Sequence, residues 1–251
     1  MSDGLTRLTG VRAVVFDAVG TLLRPKPAVG VAYAAAARRF GSTRDATEVQ
    51  ARFRAAWQAE EARDRDAGGL RSGDIGGLHA NEPGGLRTDE ARERLRWQRI
   101  VAEVFPEVTA QHELFAALWN HFADAANWRL FDDVADTWRE LTARGLVLAV
   151  ASNFDERLPG ICESLEPLTR CRHVFASSAV GYRKPAAEFY RRVAAALDLP
   201  GESILMVGDD FENDVVAARQ AGWQAVFLSR EEQRASSIGA LGELSSLLRL
   251  A

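Results

Sequence analysis

Val11-Arg12-Ala13-Val14-Val15-Phe16-Asp17-Ala18-Val19-Gly20-Thr21-Leu22 joins a short apolar run to a carboxylate and a Gly-Thr turn. The run is too short and too uniformly apolar for a surface helix, which predicts a strand over 11–16 buried on both faces. Runs of the same kind, each bounded by turn signals, recur at 146–151, 173–176, 204–207 and 225–228. Helix-patterned stretches at 133–144, 186–197 and 212–221 are interleaved with them, so helix and strand alternate through the second half of the chain. That alternation predicts an α/β fold built on a doubly wound parallel sheet.

The first run stands apart from the rest. The sequence that follows it is helical in character, at 29–40, 47–66, 88–105 and 111–126. This predicts a helical domain inserted after the first strand, with a core made of 1–24 and 127–251 and an insertion spanning 25–126. Within the insertion, Gly-Gly-Leu occurs three times, starting at Gly68, Gly76 and Gly84. A spacing of eight is far below the period of stacking repeats. Glycine also costs backbone entropy, so 68–85 reads as a loop between helices.

A chain of 251 residues, 47% hydrophobic and 26% charged, can bury a sizeable core. Its 31 basic and 35 acidic residues leave a net charge of −4 without a long Lys or Arg block. The electrostatic case for nucleic acid or a membrane surface is therefore missing, and a small-molecule partner is expected. The N-terminal residues lack the pattern of a secretory signal, and no apolar stretch approaches membrane-spanning length, so a cytoplasmic location is expected. Cys162 and Cys171 read as reduced thiols.

In an open α/β sheet, ligands bind where strands end at their carboxyl side. Polar residues that follow the apolar runs are therefore the candidates: Asp17; Ser152-Asn153; the loop Gly181-Tyr182-Arg183-Lys184-Pro185; and Gly208-Asp209-Asp210-Phe211-Glu212-Asn213-Asp214. Each alone has a plain structural explanation, as a turn residue, a helix cap or a solvated lysine. Together, and in this order, they supply a nucleophilic carboxylate, a hydroxyl donor, a cation and an acidic cluster suited to a metal ion.

This ordered set resembles the haloacid dehalogenase-like superfamily of hydrolases, over roughly 11–228. The helical insertion after the first motif resembles the subgroup with an α-helical cap. The resemblance implies a Rossmann-like core and Asp17 as the nucleophile of a phosphatase, attacking phosphorus to form an aspartyl-phosphate that water then hydrolyses. It further implies Mg2+ held by the Asp17 carboxylate, the Val19 carbonyl and Asp209, with Asp210 and Asp214 bound directly or through water. Thr21, Ser152, Asn153 and Lys184 are then expected around the transferred group, with Lys184 the main protein cation. Pro185 is expected to open a helix and so set where the lysine points.

One position departs from the family pattern. Its phosphatases carry a second aspartate two residues after the nucleophile, as general acid and base, and here that residue is Val19. Such assistance is worth ~10²–10⁴-fold in rate. Three readings follow. The chain is a phosphatase of a small phosphorylated metabolite whose leaving group needs little protonation, or one that borrows an acid such as Glu60, Asp64 or His79 from the cap. It is a metal-independent 2-haloacid dehalogenase, in which halide needs no acid and Tyr190 matches the expected spacing after Lys184, although it equally suits a helix core. Or it is a weakly active scaffold that binds a phosphorylated ligand or a partner. The Gly208-Asp209-Asp210 cluster speaks against the dehalogenase, because carboxylates packed together ask for a cation.

Other features read as structural. His79, His112, His121 and His173 have no zinc-site spacing. Arg24 and Lys26 flank Pro25 in a stiff hinge and read as solvated. Trp57, Trp97, Trp119 and Trp128 suit apolar helix faces and are expected to be core.

Overall fold

The computed structural model describes residues 8–67, 86–230 and 237–248. The Gly-Gly-Leu segment at 68–85, with His79, lies outside the described residues. After β1 (Ala13–Phe16) the chain forms β2 (Leu23–Pro25) and then α1 (Val29–Arg38), α2 (Ala46–Ala67), α3 (Glu90–Val104) and α4 (Gln111–Ala123). It returns through β3 (Trp128–Leu130) to α5 (Val134–Ala143), β4 (Val147–Ser152), α6 (Arg157–Glu163) and β5 (His173–Ala176). The remainder is α7 (Ser177–Val180), α8 (Ala187–Leu197), β6 (Ile204–Gly208), α9 (Ala217–Gln220), β7 (Gln224–Leu228), β8 (Ser237–Ile238) and α10 (Leu244–Leu247).

Among the described residues, six strands make one sheet in the order β5-β4-β1-β6-β7-β8, every pairing parallel. The alternation of side chains explains why the strand runs are so uniformly apolar. Val14 and Phe16 of β1, Leu148 and Val150 of β4, and Leu205 and Val207 of β6 enter one hydrophobic cluster with α5, α6 and the inserted helices. Their neighbours Ala13, Val15, Ala149, Ala151, Ile204 and Met206 enter a second cluster with α8 and α9 on the opposite face. Helices thus cover both faces, as a parallel sheet requires.

Register places the site. Phe16 pairs with Val150 on one side and Val207 on the other, so Asp17, Ser152 and Asp209 emerge at the same carboxyl edge of adjacent central strands. The Asp17 amide still donates to the Val207 carbonyl at 2.9 Å.

The four inserted helices match their sequence patterns closely at the start and less well at the end. Asp45 and Asp89 side chains accept from backbone amides in the first turns of α2 and α3, the expected N-cap chemistry. α4 ends at Ala123 because Asp124 starts a 3-10 turn by accepting from the Ala126 amide. The expected helix at 212–221 is instead a π-helical turn, Phe211–Val216, followed by α9. β2 and β3 pair antiparallel where the chain leaves and re-enters the sheet region; they and the two-residue β8 are too short to leave a period in the sequence. No helix among the described residues is long and apolar enough to cross a membrane.

A third attachment ties the inserted helices to the sheet region. The Thr88 amide donates to the Gly181 carbonyl at 3.1 Å and the Arg183 amide to the Leu86 carbonyl at 2.9 Å. The Arg183 guanidinium is buried against Glu93 of α3 at 2.6 Å, with Glu61 and Asp64 of α2 at 3.3 and 3.4 Å. Thr88 donates to the same Glu93 at 2.7 Å. Removing one partner of a buried ion pair leaves the other uncompensated, at a cost of ~3–5 kcal/mol. Arg183→Met is accordingly expected to lower the unfolding free energy measured by urea titration by an amount in that range, and Arg183→Met/Glu93→Gln to recover part of it. Equal stability of the single and double variants would show that Glu93 is not the group left unpaired.

Candidate active site

Asp17 terminates β1, and the chain turns sharply behind it: the amides of Leu22 and Leu23 both donate to the Ala18 carbonyl at 2.8 Å. Gly20 in this turn has φ +94°, and a β-carbon there would lie 2.1 Å from Asp209 Oδ2. Glycine is needed both for the backbone and for the space. The result is that Thr21 Oγ1 donates to Asp209 Oδ1 at 2.9 Å, joining the first and last motifs.

Lys184 arrives from the other side. Its Nζ donates to Asp17 Oδ1 at 2.7 Å, to Asp214 Oδ1 at 2.6 Å and to the Ala151 carbonyl at 3.2 Å, which uses all three ammonium protons. Burial alone would lower the pKa of this amine, but the Asp17 and Asp214 carboxylates outweigh it and hold the amine above the ordinary lysine range. Asn153, expected among the phosphate-binding groups, directs its carboxamide to the lysine backbone. Its Oδ1 accepts from the Lys184 amide at 2.7 Å and its Nδ2 donates to the Lys184 carbonyl at 2.9 Å. Pro185 does not open the following helix: α8 begins at Ala187, with Ala186 at its N-cap.

The acidic loop divides its work. Both carboxylate oxygens of Asp210 accept from Asn213, at 2.9 Å from the backbone amide and 2.8 Å from the side chain, so Asp210 caps the π-helical turn. Asp214 points inward, with Oδ2 accepting from the Asp210 amide at 3.1 Å. A β-carbon at Gly208 would sit 2.0 Å from that oxygen, so this position too must be glycine. Carboxylate oxygens of Asp17, Asp209 and Asp214 all lie within 4.8 Å of one another. Burial, with the Asp17 charge added, pushes the Asp209 carboxyl up to about 6. Burial likewise pushes Asp214 up to about 7, against the opposing pull of Lys184.

One lysine among three crowded carboxylates leaves negative charge in excess, which suits a hard divalent cation. Asp214 is bound to Lys184, whereas Asp209 Oδ2 accepts no hydrogen bond among the described residues. The Val19 carbonyl is likewise unused there. Asp17, Asp209 and the Val19 carbonyl therefore fit the cation best, while Asp210 is engaged elsewhere. Ser152, buried at 4% exposure, has no hydrogen-bond partner for its hydroxyl among the described residues and lines the space above Asp17.

That space is a cavity of about 430 Å³, floored by Asp17, Ser152, Lys184 and Asp209 and roofed by the inserted helices. Trp57, Trp97, Trp119 and Trp128 all line it, so these tryptophans are packing residues and cavity wall at once. Three separate helices and β3 carry them, and no sequence spacing announces that they converge. The Asp155–Arg157 pair also had no sequence signal beyond its place after β4. Asp155 is fully buried, accepts from Arg157 Nε and Nη2 at 2.7 Å each, and accepts from Trp97 Nε1 at 3.1 Å.

The proposed cap acids are not at the cavity. Glu60 is buried between Arg63 and Arg99; burial would raise its pKa, but hydrogen bonds from those arginines hold it below the usual carboxylate range. Asp64 pairs with Arg96 and Arg183. Tyr190 is fully buried behind the acidic loop, where its hydroxyl donates to the Asn213 carbonyl and its ring packs edge-on to Trp223. Cys162 and Cys171 are free thiols far from this chemistry, and burial pushes Cys162 up to about 12.

Known proteins resemble this chain in sequence and fold. The chain is 28% identical to human haloacid dehalogenase-like hydrolase domain-containing protein 3 over 220 residues, covering 84% of this chain and 79% of the human one. It is 32% identical to a phosphoglycolate phosphatase of Salmonella choleraesuis over 126 residues, 49% of this chain and 48% of that one. The fold superposes on L-2-haloacid dehalogenase of Xanthobacter autotrophicus with a TM-score of 0.67 at 17% identity, covering 94% of this chain and 98% of that structure. The sequence pattern of one hydrolase family, described as haloacid dehalogenase-like hydrolase, matches residues 11–222. With that match running from the strand that presents Asp17 to the turn beyond the acidic loop, this chain belongs to the haloacid dehalogenase-like hydrolases.

Proposed function

We propose that the chain is a phosphatase acting through an aspartyl-phosphate on Asp17. The observation that carries this reading is the convergence of three carboxylates around one buried lysine, with a free serine hydroxyl facing the same space. Halide displacement occurs at an uncharged carbon and needs no cation beside the attacking carboxylate, whereas a phosphate ester brings negative charge to the reacting centre itself, which must be balanced. The inserted helices, 25–126, then act as a cap on the core of 1–24 and 127–251, with β2 and β3 as the connecting pair.

In this reading the Asp17 oxygen not bonded to Lys184 attacks phosphorus in line. The Ser152 hydroxyl and the Lys184 ammonium donate to the phosphoryl oxygens, and Thr21 keeps Asp209 turned inward. Mg2+, when bound by Asp17, Asp209 and the Val19 carbonyl, supplies the remaining positive charge. Asn153 acts on the backbone of Lys184 and so on its aim. The partial likeness to a phosphoglycolate phosphatase supports the reading. Val19 favours a second reading, an L-2-haloacid dehalogenase in which the same carboxylate displaces halide.

Phosphate release from acetyl phosphate is expected to require Mg2+ and to vanish in Asp17→Asn. Halide release from L-2-chloropropionate that survives chelation would establish the second reading instead. Val19→Asp supplies the missing acid beside the nucleophile, so hydrolysis of glycerol phosphate is expected to rise by at least ~100-fold, the low side of general acid–base effects.

Thermal melting tests the cation site without turnover. The Asp209 carboxyl titrates above its ordinary range in the folded chain, so at pH 8 its charge opposes folding; that penalty shrinks as pH falls below about 6 and is gone only below the ordinary carboxylate value of 3.8. Asp209→Asn in chelator is therefore expected to melt above the unaltered protein, by ~2–4 °C per kcal/mol relieved. Mg2+ is expected to raise the melting temperature of the unaltered protein and to leave Asp209→Asn unmoved. An equal Mg2+ response in both proteins would move the cation away from Asp209.

A further inference from the structure

The cavity is two environments in one. Its floor is polar and charged, but the roof is aromatic: Tyr33, Phe53, Trp57, Trp97, Trp119 and Trp128 face the space. Trp57 and Trp97 lie 5.5 Å apart between ring centres, with Phe53 6.3 Å beyond Trp57, so the rings form a continuous wall.

The charges that reach this wall are already satisfied. Arg157 is held by both oxygens of Asp155, and its guanidinium carbon lies over the Trp119 ring, 3.7 Å from its centre. Glu61 is paired with Arg96 at 2.6 Å and Arg183 at 3.3 Å. Trp97 Nε1 donates to Asp155 and Trp128 Nε1 to the Phe122 carbonyl at 3.1 Å each. Of the charged side chains that line the cavity from the inserted helices, Glu61 is thus neutralised, and Arg54, unpaired among the described residues, is exposed to solvent, where a counter-charge counts for little. Tyr33 differs from the other rings. It is 2% exposed, and its hydroxyl has no hydrogen-bond partner among the described residues. Burial holds the phenol above the ordinary tyrosine range, so it is a neutral donor.

An independent observation lies on the floor. Val19 lines the cavity beside Asp17 and cannot deliver a proton to a departing oxygen. The cap carboxylates Glu60 and Asp64 are locked into arginine pairs away from it. Glu61, the described cap carboxylate that does line the cavity, is held by Arg96 and Arg183, so the described cap residues offer no free carboxylic acid and a leaving oxygen departs as an anion. A phenolic oxygen does this readily, with a pKa of ~10, whereas an alkyl oxygen resembles water at ~15.7.

The roof selects the body and the floor selects the bond. We propose that the substrate is an aryl phosphate, the phosphate monoester of a phenol-type hydroxyl carried on a flat, uncharged ring system. Its rings stack against Trp57 and Trp97, and a polar ring substituent accepts from the Tyr33 hydroxyl. The proposal rests on the phosphatase reading. An Asp17 oxygen bonds to phosphorus as the bond from phosphorus to the aryl oxygen breaks, and the aryl oxide leaves with the electron pair. Solvent protonates the released aryl oxide. Water then attacks the aspartyl-phosphate, restoring the Asp17 carboxylate and giving inorganic phosphate, with the water proton passing to solvent.

The test crosses body with leaving group in the full-length protein with Mg2+, measuring phosphate release from 1-naphthyl phosphate, benzyl phosphate, acetyl phosphate and glycerol phosphate. Benzyl phosphate offers a ring with an alkyl leaving oxygen, and acetyl phosphate offers a good leaving group without a ring. The kcat/KM for 1-naphthyl phosphate is expected to exceed that for benzyl phosphate and for glycerol phosphate by at least 100-fold, and that for acetyl phosphate by about tenfold through KM. Trp57→Ala is expected to lower the ratio of naphthyl to acetyl rates by about tenfold.

Turnover of acetyl phosphate with no naphthyl preference would overturn the aryl assignment and leave the phosphatase reading standing. Benzyl phosphate hydrolysed as well as naphthyl phosphate would overturn the leaving-group argument. No Asp17-dependent turnover of any of the four would overturn both the phosphatase reading and this inference.

Discussion

The ammonium of Lys184, bonded at once to Asp17, Asp214 and the Ala151 carbonyl, is the interaction on which the rest of the site depends. Three carboxylates cannot be crowded at a buried strand edge unless something positive holds them, because desolvation and mutual repulsion both drive them toward protonation. The sheet order supplies the means: β1 lies between β4 and β6, so Asp17, the lysine anchor at Ala151 and the acidic loop are neighbours before any side chain is placed. Two glycines then clear the way. Gly20 admits Asp209 and Gly208 admits Asp214, each at a distance no β-carbon would allow.

Much of this is legible in the chain because it rests on short-range pattern. Parallel strands buried on both faces must be apolar throughout, and the five runs beginning near Val11, Leu146, His173, Ile204 and Ala225 each proved to contain a strand of the central sheet. Residues just beyond those runs are forced to the carboxyl edge, which brings Asp17, Ser152 and Asp209 together, while Lys184 and Asp214 reach them from the loops that follow β5 and β6. The direction of a side chain within a loop is a different matter. Asp210 and Asp214 are equivalent in sequence, and only the π-helical turn sends one to cap Asn213 and the other inward to Lys184. Asn153 follows a strand as Ser152 does, yet its carboxamide turns to the Lys184 backbone.

The roof of the cavity was illegible for a geometric reason. Trp57, Trp97, Trp119 and Trp128 come from α2, α3, α4 and β3, and each satisfies the apolar pattern of its own element. A helix-wheel argument asks only which side is apolar. It does not distinguish an apolar side that meets another helix from one that meets an enclosed space, and here the same rings do both. The buried Asp155–Arg157 pair shows the related limit: a charge pair that stiffens an aromatic wall looks, in sequence, like two surface residues after a strand.

The backbone pairing of 86–88 with 181–183 alters what kind of machine the two parts can form. Joined by β2 and β3 alone, the helices would swing as a lid on a hinge, and the floor beneath would be indifferent to their position. A third attachment makes a truss, and this one lies next to Lys184 in the chain, with Arg183 clamped to Glu93 on the helical side. Rigid rotation about the β2–β3 pair must break that attachment. Admission of a ligand and placement of the lysine are therefore coupled coordinates: the resting geometry of the charged floor is set partly by whether the aromatic roof is seated.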